Sequence, residues 1–192
     1  MGNRLSKIYT RTGDQGETGI GDGRRVLKDH PRIEVIGEVD TLNCQLGVLL
    51  AGLQLEQTQH PALTEVIDAL QPCQHRLFDI GGELAMPDYQ VINADEVSRV
   101  EAIIDAWNEE LGPLKEFILP GGSVLIAQAH LARSVARTAE RRALTLHQVE
   151  PLRAEILTYL NRLSDLLFVG ARIIARRQDK AEVLWQSARL KG

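Results

Sequence analysis

The sequence predicts an all-α protein: an up-and-down bundle of five helices preceded by an irregular, glycine-rich segment. Three observations predict it. Aromatic residues make up only 4% of a chain that is 44% hydrophobic. Its core must therefore come from Leu, Ile, Val and Ala, which favours packed helices over a β-sandwich. From Pro31 onward, apolar residues recur at helical spacing. Proline and glycine then punctuate the chain so that five helix-length segments remain between them.

The first 30 residues stand apart. Thr10 to Gly23 holds five glycines in fourteen residues, and such a run can bring backbone N–H groups close to a ligand. Helices are predicted over 31–53, 62–84, 94–111, 121–147 and 151–176. His60-Pro61 and Met86-Pro87 bracket the second, and Gly112-Pro113 ends the third. Pro120-Gly121-Gly122-Ser123 precedes the fourth, and Glu150-Pro151 places proline at the first position of the fifth. Val183-Leu184-Trp185 reads as a short terminal strand. No repeat, low-complexity tract or long linker divides the 192 residues. The expectation is one domain over 1–192, made of an N-terminal segment 1–30, a bundle 31–176 and a tail 177–192.

Composition narrows the function. A net charge of −4 argues against nucleic acid as the main partner, because phosphate backbones select basic surfaces. Cys44 and Cys73 form no CxxC pair and read as buried free thiols. No apolar run approaches the roughly 20 residues of a membrane span, and Met1 to Asp14 has no apolar signal core. A soluble, cytoplasmic protein is expected. The P-loop, the Rossmann glycine fingerprint, paired Glu-x-x-His, GxSxG and HExxH are all missing.

Helical wheels locate polar residues of interest. On the fourth helix, Val124, Leu131, Ala132, Val135, Ala136, Ala139, Ala143 and Leu146 share an arc expected to face the core. His130, Arg133, Arg137, Glu140 and Arg141 fall opposite. Three arginines on one stripe repel unless an anion lies between them, although a solvated face with Glu–Arg pairs would look the same. On the first helix, Glu34, Glu38, Thr41 and Gln45 read as the wet face. Asp40 falls among Ile33, Ile36, Cys44, Gly47 and Ala51, where burial would require a cationic partner, with Arg133 a candidate, or a place at the rim. On the fifth helix, Asn161, Asp165, Phe168 and Arg172 share a stripe, suited either to reading a nucleotide or to a structural network.

Five motifs in order then resemble the PduO-type ATP:cob(I)alamin adenosyltransferases. They are Lys7 to Thr18; Asp29-His30-Pro31-Arg32 with Gly37 to Asn43; Phe117-Ile118-Leu119-Pro120-Gly121-Gly122; His130 to Arg142; and Tyr159 to Phe168. The resemblance implies transfer of the 5′-deoxyadenosyl group of ATP to the Co(I) of cob(I)alamin, with release of triphosphate. A non-catalytic carrier that delivers adenosylcobalamin to a client enzyme is the alternative. It implies a homotrimer of five-helix bundles with active sites between subunits, and names a flavoprotein reductase and a cobalamin-dependent client as partners. Thr10, Arg11, Thr12, Gly13, Thr18, Gly19 and Lys28 match the family's ATP-wrapping positions, and Arg137, Glu140, Arg141 and Asn161 its helix-borne ATP contacts. Arg133 and Asp40 match a salt bridge across the subunit interface, and Phe117 the aromatic residue at the corrin's lower face. Asp40, Phe117 and Arg133 are thus the expected catalytic set, with Asp40 and Phe117 on the cobalamin. The substrates implied are ATP and cob(I)alamin or its cob(II)alamin precursor. Mg²⁺ would be held mainly by ATP phosphates and not by protein side chains. Thr138 departs from the family, many members of which carry Arg there; weaker phosphate attraction without loss of activity is expected.

Overall fold

A computed structural model describes residues 9–86 and 88–186. Lys7 and Ile8 of the first motif, Pro87 and the last six residues of the tail lie outside the described residues. From residue 9 onward the N-terminal segment is more ordered than its composition suggests. Strands β1 (Glu17–Gly19) and β2 (Arg25–Leu27) pair antiparallel, with Thr18 opposite Val26. The hairpin is pinned at its tip, where Gly21 N–H donates to the carbonyl of Ala85 at 2.8 Å. A Cβ at Gly21 would lie 2.9 Å from that oxygen, so glycine permits the approach.

Five helices follow: α1 (Pro31–Glu56), α2 (Thr64–Ala85), α3 (Ala94–Leu111), α4 (Val124–His147) and α5 (Ala154–Arg177). The expected five are present, and four boundaries shift for local reasons. His30 caps α1 by accepting from Arg32 N–H, and the helix runs three residues past its expected end. Pro61 opens a single 3-10 turn to Leu63 before α2 begins. Helix α4 starts at 124, not 121, because Gly122 has φ 113° and Ser123 is the cap, accepting from Ile126 N–H. Pro151 is not at the first helical position; residues 151–153 are non-helical and Arg153 precedes the first turn.

The helices pack in the order α2, α1, α4, α5, α3, with α2 also touching α5. Alanines 129, 132, 136, 139 and 143 form the buried stripe of α4. Small side chains there let both neighbouring helices approach closely. Around them Leu42, Leu46, Leu49, Leu160, Leu163, Leu167 and Tyr159 are fully buried, and Trp107 of α3 lies against Gly170 of α5.

One buried charge fastens the bundle's end. The carboxylate of Glu83 accepts from the N–H groups of Val91 and Ile92, both at 2.6 Å, and from Arg153 at 2.9 Å. It joins α2, the 86–93 connection and the entry to α5. Glu83→Ala is expected to lower the unfolding free energy by about 3 kcal/mol, because it strands the buried amide of Ile92, the half-buried amide of Val91 and a guanidinium. Urea unfolding followed by circular dichroism measures this.

Candidate active site

The wheel readings of α1 and α4 need correction. On α1 the core face is Val35, Val39, Leu42, Leu46, Leu49 and Leu53. The side assigned to the core is outside: Asp40, Cys44 and Ala51 are exposed, with Val48 and Leu55 beside them. Helix α1 is apolar on two faces, so periodicity alone could not choose between them. Asp40 therefore pays no burial cost in this chain, and Cys44 is exposed whereas Cys73 is buried as expected. On α4, Val124 and Leu131 are 71% and 52% exposed, and His130, placed on the polar side, is buried. The true core arc is centred on the alanines. It leaves Val124 and Leu131 at its edge, on a second apolar stripe.

The glycine-rich strap is built around Gly13 and Gly16. Gly16 N–H donates to Gly13 O at 3.2 Å, Lys28 N–H donates to Gly16 O at 2.9 Å, and Gly16 has φ 86°. Lys28 folds over this turn: its ammonium would be 3.3 Å from a Cβ at Gly13. Thr10 and Thr12 share a hydroxyl hydrogen bond at 2.8 Å, Arg25 donates to Thr12 O at 2.7 Å, and Arg11, at φ 61°, lies over the ring of Tyr9. Thr18 and Gly19 sit in β1. The strap thus gathers a lysine, hydroxyls and backbone amides on an exposed surface, a set suited to phosphate oxygens.

Helix α4 carries the second group. Arg133 is half-buried and its Nε has no acceptor among the described residues. Burial, and then the nearby charge of Arg137, pull its pKa down. Among the described residues neither Arg133 nor Arg137 takes part in an ion pair. Glu140 accepts from Asn161 Nδ2 at 2.9 Å; Asn161 Oδ1 accepts from Arg162 at 2.7 Å, and Arg162 reaches Glu101 at 2.7 Å. Asn161 is thus held by Glu140 and Arg162, not by Asp165 and Arg172. Arg141 donates to Thr138 Oγ1 at 3.1 Å, so the departure at 138 gives Arg141 a hydroxyl partner. Behind the stripe, the His130 ring lies 6.1 Å from Phe168, and burial followed by Arg133 lowers its pKa.

A third group is apolar. Phe117 is 76% exposed, with Leu114, Leu119, Val183, Leu184 and Trp185 also exposed. The terminal strand reduces to one bridge between Ile118 and Leu184. Next to this patch runs a groove of about 860 Å³ between α3 and α5, lined by Asn108, Leu114, Asp165, Phe168 and Arg172 among others. Burial raises the pKa of Asp165 there, an effect Arg162 opposes. Sequence reasoning gave no part to Trp185, Glu182 or Leu114. The exposed aromatic next to a nonpolar tail was the signal available for the first.

Within the single chain the groups are not all brought together. Among the described residues, no hydrogen bond or ion pair joins the strap 9–28 to α4 residues 130–141, nor Asp40 to Arg133. No group of three or more His, Cys, Asp or Glu side chains among them could hold a metal ion.

A helical bundle that displays arginines without ion pairs among the described residues, an amide-lined strap and an exposed aromatic patch has the features of a ligand-binding bundle. More specifically, the chain belongs to the cobalamin adenosyltransferase family, whose model matches residues 8–174. It is 49% identical to the cobalamin adenosyltransferase of Cupriavidus metallidurans, over 98% of this chain and 99% of that one. It is 41% identical to the corrinoid adenosyltransferase of Bacillus subtilis, over 94% and 92%. Among solved structures, a phenylalanine-to-histidine variant of the PduO-type ATP:corrinoid adenosyltransferase from Lactobacillus reuteri, complexed with cobalamin and ATP, superposes with a TM-score of 0.86. That match has 30% identity and covers 94% of this chain and 97% of that one.

Proposed function

We propose that this protein transfers the 5′-deoxyadenosyl group of ATP to the cobalt of cob(I)alamin, forming adenosylcobalamin and releasing triphosphate. The observation that carries the reading is the pair of cations on α4, Arg133 and Arg137, that form no ion pair among the described residues, in a chain that matches an adenosyltransferase over 98% of its length. Co(I) is itself the nucleophile: its electron pair forms the Co–C5′ bond as the C5′–O bond breaks and triphosphate departs. The protein's work is to align C5′ with cobalt and to stabilise charge growing on the leaving group. Arg137, Arg141, Lys28 and the amides of Thr12 to Gly13 suit the phosphates. Thr10, Arg11, Thr18, Gly19, Glu140 and Asn161 complete the nucleotide contacts. Mg²⁺ would travel on the phosphates, neutralising part of their charge.

The working unit is a homotrimer with shared sites. The second apolar face of α1 and the exposed Val124 and Leu131 of α4 suit a subunit interface. Across it, Asp40 of one protomer supplies the acceptor that Arg133 of the next lacks. The strap of one protomer then meets the arginines of another, which accounts for their separation here. Phe117 and its apolar neighbours take the corrin, Phe117 wedging out the lower axial ligand of cob(II)alamin. A reductase of the flavoprotein class delivers one electron to give cob(I)alamin, and a cobalamin-dependent enzyme receives the product. The whole chain 1–192 acts as one domain, and its need for ATP and a strong reductant suits the cytoplasm.

Mixing the protein with Mg-ATP and chemically reduced cob(I)alamin tests the activity. The expected result is loss of the Co(I) absorption with one triphosphate released per cobalt alkylated. Tight binding of both substrates without that loss would make the protein a carrier.

A further inference from the structure

The chain beyond α5 returns to the wedge. After α5 it reverses at Asp179, which has φ 53°, and Lys180 N–H closes the helix end on Ala175 O at 2.8 Å. Residues 182–185 then run along 117–119. Leu119 N–H donates to Val183 O at 2.8 Å, and Trp185 N–H donates to Phe117 O at 2.7 Å. The ring of Trp185 meets that of Phe117 edge-on, centroids 6.2 Å apart and planes at 67°, a favourable aromatic geometry. Two backbone hydrogen bonds and one exposed aromatic contact are weak restraints on so short a pairing.

The stronger restraint is ionic. Arg172, on α5, is only 7% exposed, and its Nε donates to Glu182 at 2.8 Å. Glu182 is the one carboxylate paired with Arg172 among the described residues. A buried guanidinium strongly favours keeping its carboxylate, because losing it leaves an uncompensated charge. Glu182 is three residues from Trp185, and α5 is a core helix. The pair thus ties the returning strand to the bundle's rigid frame.

We propose that Arg172 and Glu182 form a latch that sets Phe117 through Trp185, and so are positioning residues for the reduction of cob(II)alamin. The inference rests on the wedge role of Phe117 proposed above. The step it serves is the one-electron reduction of cob(II)alamin to cob(I)alamin by reduced flavin, which needs the lower axial ligand displaced. The adenosyl transfer that follows starts from cob(I)alamin and does not depend on the latch.

The test compares Glu182→Gln with the parent, from cob(II)alamin plus reduced flavin and from prereduced cob(I)alamin. The expected result is about a tenfold slower rate from cob(II)alamin, with the cob(I)alamin rate and the KM for ATP unchanged. The four-coordinate share of bound cob(II)alamin, read by electron paramagnetic resonance, should fall in parallel. Because the latch acts through Phe117, adding Glu182→Gln to Phe117→Ala should slow that variant no further. Should Glu182→Gln fold poorly, Glu182→Asp, which keeps the charge on a shorter stem, should show the same selective loss from cob(II)alamin to a smaller degree. A parental rate from cob(II)alamin, or equal losses from both cobalt states, overturns the latch. If instead Phe117→Ala alone reduces cob(II)alamin as the parent does, the wedge itself fails.

Discussion

Phe117→Ala should fold like the parent, use prereduced cob(I)alamin at a near-parental rate, and turn over cob(II)alamin about 100-fold more slowly. Each part has a separate cause. The side chain is 76% exposed, so truncation leaves no cavity in the core and stability should change little. Chemical transfer from Co(I) needs only an aligned C5′ and a stabilised leaving group, tasks the proposal above assigns to other residues. Reduction is different. An axial donor raises the energy of the cobalt orbital that must accept the electron, so losing the wedge makes cob(II)alamin harder to reduce. For a one-electron couple, a 100-fold smaller cob(I)alamin population corresponds to a potential lower by about 120 mV. Spectroelectrochemical titration of bound cob(II)alamin measures that shift directly. A potential equal to the parent's would remove the reason for assigning Phe117 this role.

The bundle was readable from punctuation: each helix break coincides with a proline or glycine in the sequence. Faces were harder. Helix α1 has an apolar core side and a second apolar side, and a wheel weighs both alike; the choice is made by what packs on it, which is α2 and α4. The burial of His130 follows from the same kind of shift on α4, where small alanines define the core arc more than the larger Val124 and Leu131 do. The hairpin escaped notice because its strands are three residues long and one is glycine-terminated. Among the candidate site residues, the helix-borne ones are brought near one another, as with Glu140 and Asn161. The strap and Asp40 are not; the homotrimer proposed above would put their partners on a neighbouring protomer. The Arg172–Glu182 pair spans a chain reversal at Asp179, and no periodicity signals a contact across such a turn.

Arg137→Ala should lower kcat with prereduced cob(I)alamin about 100- to 1000-fold while raising the KM for ATP far less. Arg137 is exposed on α4, free of ion pairs among the described residues, and its charge already bears on Arg133. Two like charges one helical turn apart oppose each other in the free protein, so their placement suits an anion and not stability. The free variant should therefore melt no lower than the parent. With ATP bound, charge builds on the triphosphate only as C5′–O breaks, and a cation there gains most in the transition state. Arg137→Lys should recover only part of the rate, since an ammonium keeps the charge but not the forked donors. Single-turnover measurements at saturating ATP isolate the chemical step. A parental rate there, with only a raised KM, would mean that Arg137 binds the ground state and the transition state equally, and that the leaving group is stabilised by the strap and Lys28 instead.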